Sequence, residues 1–274
     1  MIKRPGIIFT LAFVLCFGSI GTVRAQRSVG RVVVQVPNTQ KRNVMPNGAT
    51  TTPTLGKSLT MSNRNMISAQ DEVSRIDKSK VPATGAQASD FVPAGWKIES
   101  EAKGDVNGDG RADNVLTVQE EKAVEGKQRG RALIVLTAQR DGSWKNAAVA
   151  DRLLQCADCA GGMAELDVKI EKGIINVFQA QGNNGSSMSN ETYSFRPEPA
   201  TGRFRLIGAD YVSSGGPDKV FQESTNFLTG VRKTTRPKGP KDITTPSRVK
   251  KTKIYLEDVD NDKMMEEAFK RIGS

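Results

Sequence analysis

Gly104-Asp105-Val106-Asn107-Gly108-Asp109-Gly110-Arg111-Ala112-Asp113 runs directly into Asn114-Val115-Leu116-Thr117-Val118. Oxygen-bearing side chains stand at Asp105, Asn107, Asp109 and Asp113, positions 1, 3, 5 and 9 of a loop whose position 6 is Gly110. A hard cation such as Ca2+ collects about six to eight oxygen ligands, and acidic residues alternating around a glycine turn supply them. The carbonyl of Arg111 falls at position 7 and completes the set Asp105, Asn107, Asp109, Arg111 and Asp113. Position 12 is Leu116 rather than a bidentate glutamate, and the flank is a strand, so this is not an EF-hand. The spacing predicts a shorter loop closed by Asp113, with a Kd on the order of 10⁻⁴–10⁻³ M and Ca2+ as a structural clip where the sheet begins.

Outward from this stretch, short runs of β-formers alternate with turn residues, the pattern of an antiparallel β domain. Strands are expected at 114–119, 132–138, 144–149, 165–170, 174–180, 189–196, 204–211 and 219–226. Lys172-Gly173 reads as a tight hairpin turn, and 182–187 as a longer hairpin loop. Leu133-Ile134-Val135-Leu136 is apolar on both faces, which marks a central strand. The fold class is therefore mainly β and sandwich-like, with one short C-terminal helix, expected over 263–272.

The flanks read differently. Residues 1–25 form a secretory signal: Lys3 and Arg4 precede an apolar run from Ile7 to Ile20, and Thr22-Val23-Arg24-Ala25 supplies the cleavage site. The run is too short to span a bilayer comfortably, and Leu15 before Cys16 argues against lipidation. With the signal removed no transmembrane span is expected, and the chain is placed in the periplasm or outside the cell. Residues 26–89 hold no Phe, Tyr or Trp and are rich in Ser, Thr, Asn, Gln and Pro. Such composition cannot bury enough apolar area to offset about 1–2 kcal/mol of backbone entropy per ordered residue, so the segment is expected to be disordered. Within it, Val32–Val36 is strand-like and 69–78 is a candidate short helix. The β domain is set at 90–230, a basic linker or loop at 231–253, and a terminal strand plus helix at 254–274. Ile254-Tyr255-Leu256 is expected to return to the core.

The formal charge of +10 falls to +7 when Lys3, Arg4 and Arg24 leave with the signal. Residues 91–230 carry 16 basic and 19 acidic side chains, whereas 231–253 carry 9 and 1, so the basicity lies in the flanks. A basic segment either contacts an anionic surface or polymer or is simply well solvated. The chain has no histidine, which removes most zinc sites and every His-based catalytic triad.

Cys156 and Cys159 are the two cysteines left after the signal, and in an oxidising compartment they form a local disulfide. A thioredoxin-like pair would open a helix in a βαβ setting, whereas this one lies between β-type runs. A second acidic cluster, Asp258, Asp260 and Asp262, has metal-like spacing but Lys263 where the turn wants glycine. Acidic residues before a helix are also favoured by its dipole. Asp151, Asp158, Glu165 and Asp167 lie close in sequence, and a carboxylate pair can hydrolyse a glycosidic bond, but the spacing selects no pair.

The Gly-Asp-x-Asn-x-Asp-Gly-x-x-Asp loop followed by an apolar strand resembles the calcium loop of FG-GAP and VCBS repeats, over about fifteen residues. One repeat cannot build a propeller. In order, Pro93–Trp96, Gly104–Asp113, Cys156–Cys159 and Asn226–Gly230 are similar to the features of a family of uncharacterised exported bacterial proteins. That resemblance implies an exported β protein and no assigned activity. The leading expectation is a non-enzymatic binding or envelope-associated module that meets a protein or envelope polymer. The alternatives are a carbohydrate- or peptidoglycan-directed hydrolase, and a binder of anionic polymer through residues 231–253.

Overall fold

The computed structural model describes residues 73–272 apart from 160–162, 184–186, 216–219 and 240. The readings of 1–25 as a signal, of 26–72 as disordered and of Val32–Val36 as a strand lie outside the described residues.

Among the described residues, twelve strands form two antiparallel sheets. The first holds β1 (Thr84–Gly85), β2 (Trp96–Gly104), β3 (Asp113–Glu120), β4 (Arg131–Ala138) and β5 (Trp144–Ala150), in the order β1-β5-β4-β3-β2. The second holds β6 (Met163–Glu171), β7 (Ile174–Asn183), β8 (Ser187–Pro197), β9 (Phe204–Ser214), β10 (Val220–Asn226), β11 (Val231–Lys238) and β12 (Lys241–Arg248). These seven follow one another as a meander, with β6 and β12 at the edges. The Lys172-Gly173 turn has positive φ at both residues, as a two-residue hairpin loop requires. The loop expected at 182–187 is shorter, because β7 and β8 stay paired as far as Asn183 opposite Ser187.

The inner faces of the two sheets meet in one core. Val115, Leu133, Val135 and Ala148 from the first pack with Ile175, Val177, Phe195 and Leu206 from the second. β4 explains its own composition: Leu133 and Val135 face this core, while Ile134 and Leu136 face away into another, with Leu116, Val118 and Phe91. The second core is closed by residues 73–92, which lie against the outer face of the first sheet. Val73 bridges Gln128 in parallel, and Ile76, Val81 and Phe91 are buried. Gly130 is required at this crossing, because a Cβ there would stand 2.0 Å from the Ser74 carbonyl oxygen.

Two boundaries therefore differ from the sequence-based expectation. Residues 73–89, expected to be disordered, are ordered against the first sheet, ahead of the boundary set at Asp90. The segment has few apolar residues, but Ile76 and Val81 fall on a sheet face that would otherwise be wet, and Val73 is buried at its bridge to Gln128. Over 73–77 the chain takes no helix, and a 3-10 turn spans Lys78–Lys80. Residues 231–253 are not a linker for most of their length, since 231–238 and 241–248 pair as β11 and β12 along their whole lengths. Pro246 is tolerated because β12 is an edge strand, where the missing N–H removes no ladder bond from an interior pair.

The helix α1 (Asn261–Ile272) lies on the second sheet through Met265, Ala268, Phe269 and Ile272, with Phe269 edge-on to Tyr211 at 5.2 Å. Residues 254–256 return to the core as expected. Leu256 is fully buried, Leu206 N–H donates to the Ile254 carbonyl at 2.8 Å, and Tyr255 Oη donates to Glu198 at 2.6 Å.

Candidate functional site

The Gly104–Asp113 loop is built by its own side chains. Asp105 Oδ1 accepts the N–H groups of Asn107, Gly108 and Asp109, and Oδ2 accepts that of Gly110 at 2.8 Å. These donors, Gly110 first, hold the Asp105 carboxyl below its ordinary value. Gly108 and Gly110 both have positive φ, which lets the chain coil around the carboxylate. Asn107 Oδ1 accepts Asp109 N–H at 2.9 Å, and the Asn107 side-chain amide donates back to Asp109.

Asp113 has a different place from the one its spacing suggests. It is fully buried, and its two oxygens accept the N–H groups of Val106 and Ala138, each at 2.9 Å. Burial pushes its carboxyl up, and the charges of Asp109 and Asp105 act in the same direction. It therefore braces the loop against the end of β4. Arg111 reaches across with Nε on the Ala138 carbonyl at 3.1 Å and its guanidinium on Asp109.

As a cation site the loop fits in part. Asp105, Asn107, Asp109 and the Arg111 carbonyl belong to the exposed turn, and its donors are oxygens suited to Ca2+. A cation would share the Asp113 oxygens with two amides and would compete with Arg111 for Asp109. Among the described residues no three acidic or thiol groups already converge as a ligand cluster. Gly104 is fixed by the neighbouring sheet, since a Cβ there would stand 2.7 Å from Ile170 Cγ2 on β6. The loop thus sits where the two sheets touch, facing the Lys172-Gly173 turn across an open cavity of about 390 Å³.

Cys156 and Cys159 are joined as a disulfide with Cα atoms 5.2 Å apart. It lies in the crossover from β5 to β6, the passage from one sheet to the other. Leu153 and Leu154 of this crossover are buried, and Gln179 on β7 clamps it, accepting Gln155 N–H at 2.7 Å and donating to the Leu153 carbonyl at 3.0 Å.

The second acidic cluster does not converge. Asp258 pairs with Arg203 at 2.7 Å, Asp260 with Arg152 at 3.5 Å and Lys263 at 3.4 Å, and Asp262 faces Arg75 at 3.8 Å. Asp260 also accepts Lys263 N–H at the start of α1. The four carboxylates weighed for hydrolysis are likewise dispersed. Asp151 pairs with Lys78 at 2.7 Å, Asp158 takes both Nε and Nη2 of Arg129, Asp167 pairs with Lys169, and Glu165 projects from edge strand β6.

Two buried acids escaped the sequence reading. Glu191 on β8 is fully buried and accepts the Gln155 side-chain amide at 2.5 Å, and burial raises its pKa from 4.5 to about 7. Glu223 on β10, 4 % exposed, accepts three hydrogen bonds from Arg271 and faces Arg232 at 3.4 Å. Their signal was the alternation itself: each sits two residues from a buried partner, Tyr193 or Thr225, on the inward phase of its strand.

Within 231–253 the exposed cations Lys233, Lys238, Lys241, Arg248, Lys250 and Lys251 have no ion-pair partner among the described residues, whereas Lys253 pairs with Glu198. No helix among the described residues is long and apolar enough to cross a membrane. Set against known protein families, curated proteins and solved structures, the chain matches none.

Proposed function

We propose that this chain is an exported, non-enzymatic β protein that holds an anionic polymer of the cell envelope on the β11–β12 hairpin and its stem. The carrying observation is the placement of charge. Six exposed cations without an ion-pair partner among the described residues project from one hairpin and the residues after it, with Asp242 as the single acid between 231 and 253. Pairing with β10 holds the hairpin in place, so the cations are presented with less ordering cost than on a free tail. The Cys156–Cys159 disulfide is in keeping with an oxidising compartment.

In this reading the Gly104–Asp113 loop takes Ca2+ in the manner of FG-GAP and VCBS loops and stiffens the contact between the sheets at Gly104 and Ile170. The hydrolase alternative loses support from the engagement of Asp151, Asp158 and Asp167 with separate cations.

Long-chain polyphosphate is a suitable probe. Binding to the full chain should weaken steeply with salt, because each phosphate neutralised releases counterions. Lys233→Gln, Lys238→Gln and Lys241→Gln should each lower the slope of log K against log salt by about 1. An unchanged slope in the triple variant would refute hairpin-mediated binding. Substitution is a cleaner test than deletion, because β11 is an interior strand of the sheet.

A further inference from the structure

A cleft of about 180 Å³ lies on the inner side of the second sheet, between α1 and residues 249–254. Its walls are apolar: Tyr193, Phe227, Ile254, Met264 and Ala268. Its polar side is mixed, with Arg232, Arg271 and Lys250 set among Glu223, Glu267 and Asp210, and Glu267 pairs with Arg271 at 3.6 Å. Arg232 lines it with a side chain only 18 % exposed, donating from Nε to Thr225 Oγ1 at 3.0 Å and lying 3.4 Å from Glu223. Glu223 is already claimed by Arg271 through both oxygens, so one carboxylate serves two guanidinium groups. The Nη1 and Nη2 groups of Arg232 have no acceptor among the described residues. Lys250, exposed and without an ion pair there, stands at the same cleft.

A largely desolvated guanidinium whose nearest carboxylate is shared with a second guanidinium keeps two donor groups open, and a planar, two-pronged donor set is matched by a carboxylate. The space sets the remainder of the ligand. A cavity of about 150 Å³ accepts benzene, whereas pockets for drug-sized molecules start at about 300 Å³.

We propose that this cleft binds a small organic monocarboxylate whose apolar part is no larger than a single aromatic ring. The carboxylate lies on Arg232 and Lys250, and the apolar part lies between Phe227, Met264 and Ala268. Lys250 belongs to both this site and the polymer surface, but Arg232 does not: it lies on the Glu223 and α1 side of the hairpin, whereas Lys233, its neighbour along the strand, projects to the opposite side.

Benzoate, benzylamine and toluene test it on the full chain, with the methyl resonance of Met264 as the local readout. Benzoate should shift that resonance saturably in the millimolar range, and benzylamine should not. Arg232→Gln, which leaves Glu223 bound to Arg271, should weaken benzoate about tenfold, the loss of a charge-assisted contact. Ala268→Leu, which fills the cleft at a helix-favouring position, should abolish the shift. Polyphosphate binding should survive Ala268→Leu, which separates this inference from the hairpin reading. The proposal is overturned if benzoate gives no saturable shift, if benzylamine or toluene binds as well as benzoate, or if Ala268→Leu leaves benzoate binding intact. Should Arg232→Gln fail to fold, Lys250→Gln at an exposed position carries the charge test, and unchanged benzoate affinity there would overturn the two-cation site.

Discussion

Gln155 donates its side-chain amide to the buried carboxylate of Glu191 at 2.5 Å, tying the crossover between the sheets to the middle of the second sheet. Glu191 is fully buried in that face, and Tyr193 two residues on is held by Asn261 at the start of α1, Oη to Oδ1 at 2.8 Å. Crossover, sheet and helix therefore meet at a single titratable group.

Its protonation gives stability a definite pH dependence. The folded state holds the Glu191 proton up to about pH 7, while the unfolded chain releases it near 4.5. Stability from this group is thus complete below about 4.5 and is lost as pH rises through about 7, by up to about 3 kcal/mol. Urea unfolding at pH 5 and pH 8 should show that decline in the wild type and a flatter profile in Glu191→Gln. Identical profiles would sink the assignment.

Calcium should raise the melting temperature, and at ten times Kd the gain is about 1.4 kcal/mol. Asp105→Ala should remove the effect. Arg111→Gln should strengthen it, because Arg111 pairs with Asp109 and competes for its oxygens. A calcium response untouched by Asp105→Ala would place the ion elsewhere.

Ile76→Ala should cost about 2–5 kcal/mol, the range for emptying a buried aliphatic site. A change within about 0.5 kcal/mol, normal for exposed positions, would show that residues 73–92 do not belong to the core.

Replacing Cys156 and Cys159 by serine should cost about 2 kcal/mol, as expected for a very short closed loop. The loss should register in global unfolding, since the crossover touches both sheets. Thermal melts of the double variant, with and without a reductant, decide it: an effect of reductant on the variant would exclude this disulfide as the redox-sensitive element.

How much of this was legible in the sequence follows from range. The eight strands from 114 to 226 were visible because period-two alternation is a local signal, and the two-faced strand 131–138 correctly announced a central position. Residues 73–89 were misread because composition averaged over sixty residues hides three aliphatics whose partners lie beyond residue 115. Residues 231–253 were misread because Pro237, Pro240 and Pro246 outweighed the Thr-rich alternation, although edge strands accept proline. In the loop, the spacing located the turn around Asp105. It could not show that Asp113 faces inward, since one of the two amides that it bridges, that of Ala138, comes from the end of β4.

The two-faced character of β4 also orders the folding of the chain. Residues 73–92 leave the synthesis machinery first, yet their docking surface does not exist until β3, β4 and β5 have paired, some sixty residues later. Until then a wide aliphatic surface is open on the first sheet and invites association with other chains. Residues 73–92 act as a late-closing cover, so a chain starting just after Phe91 would keep both sheets but expose the outer aliphatic face of the first.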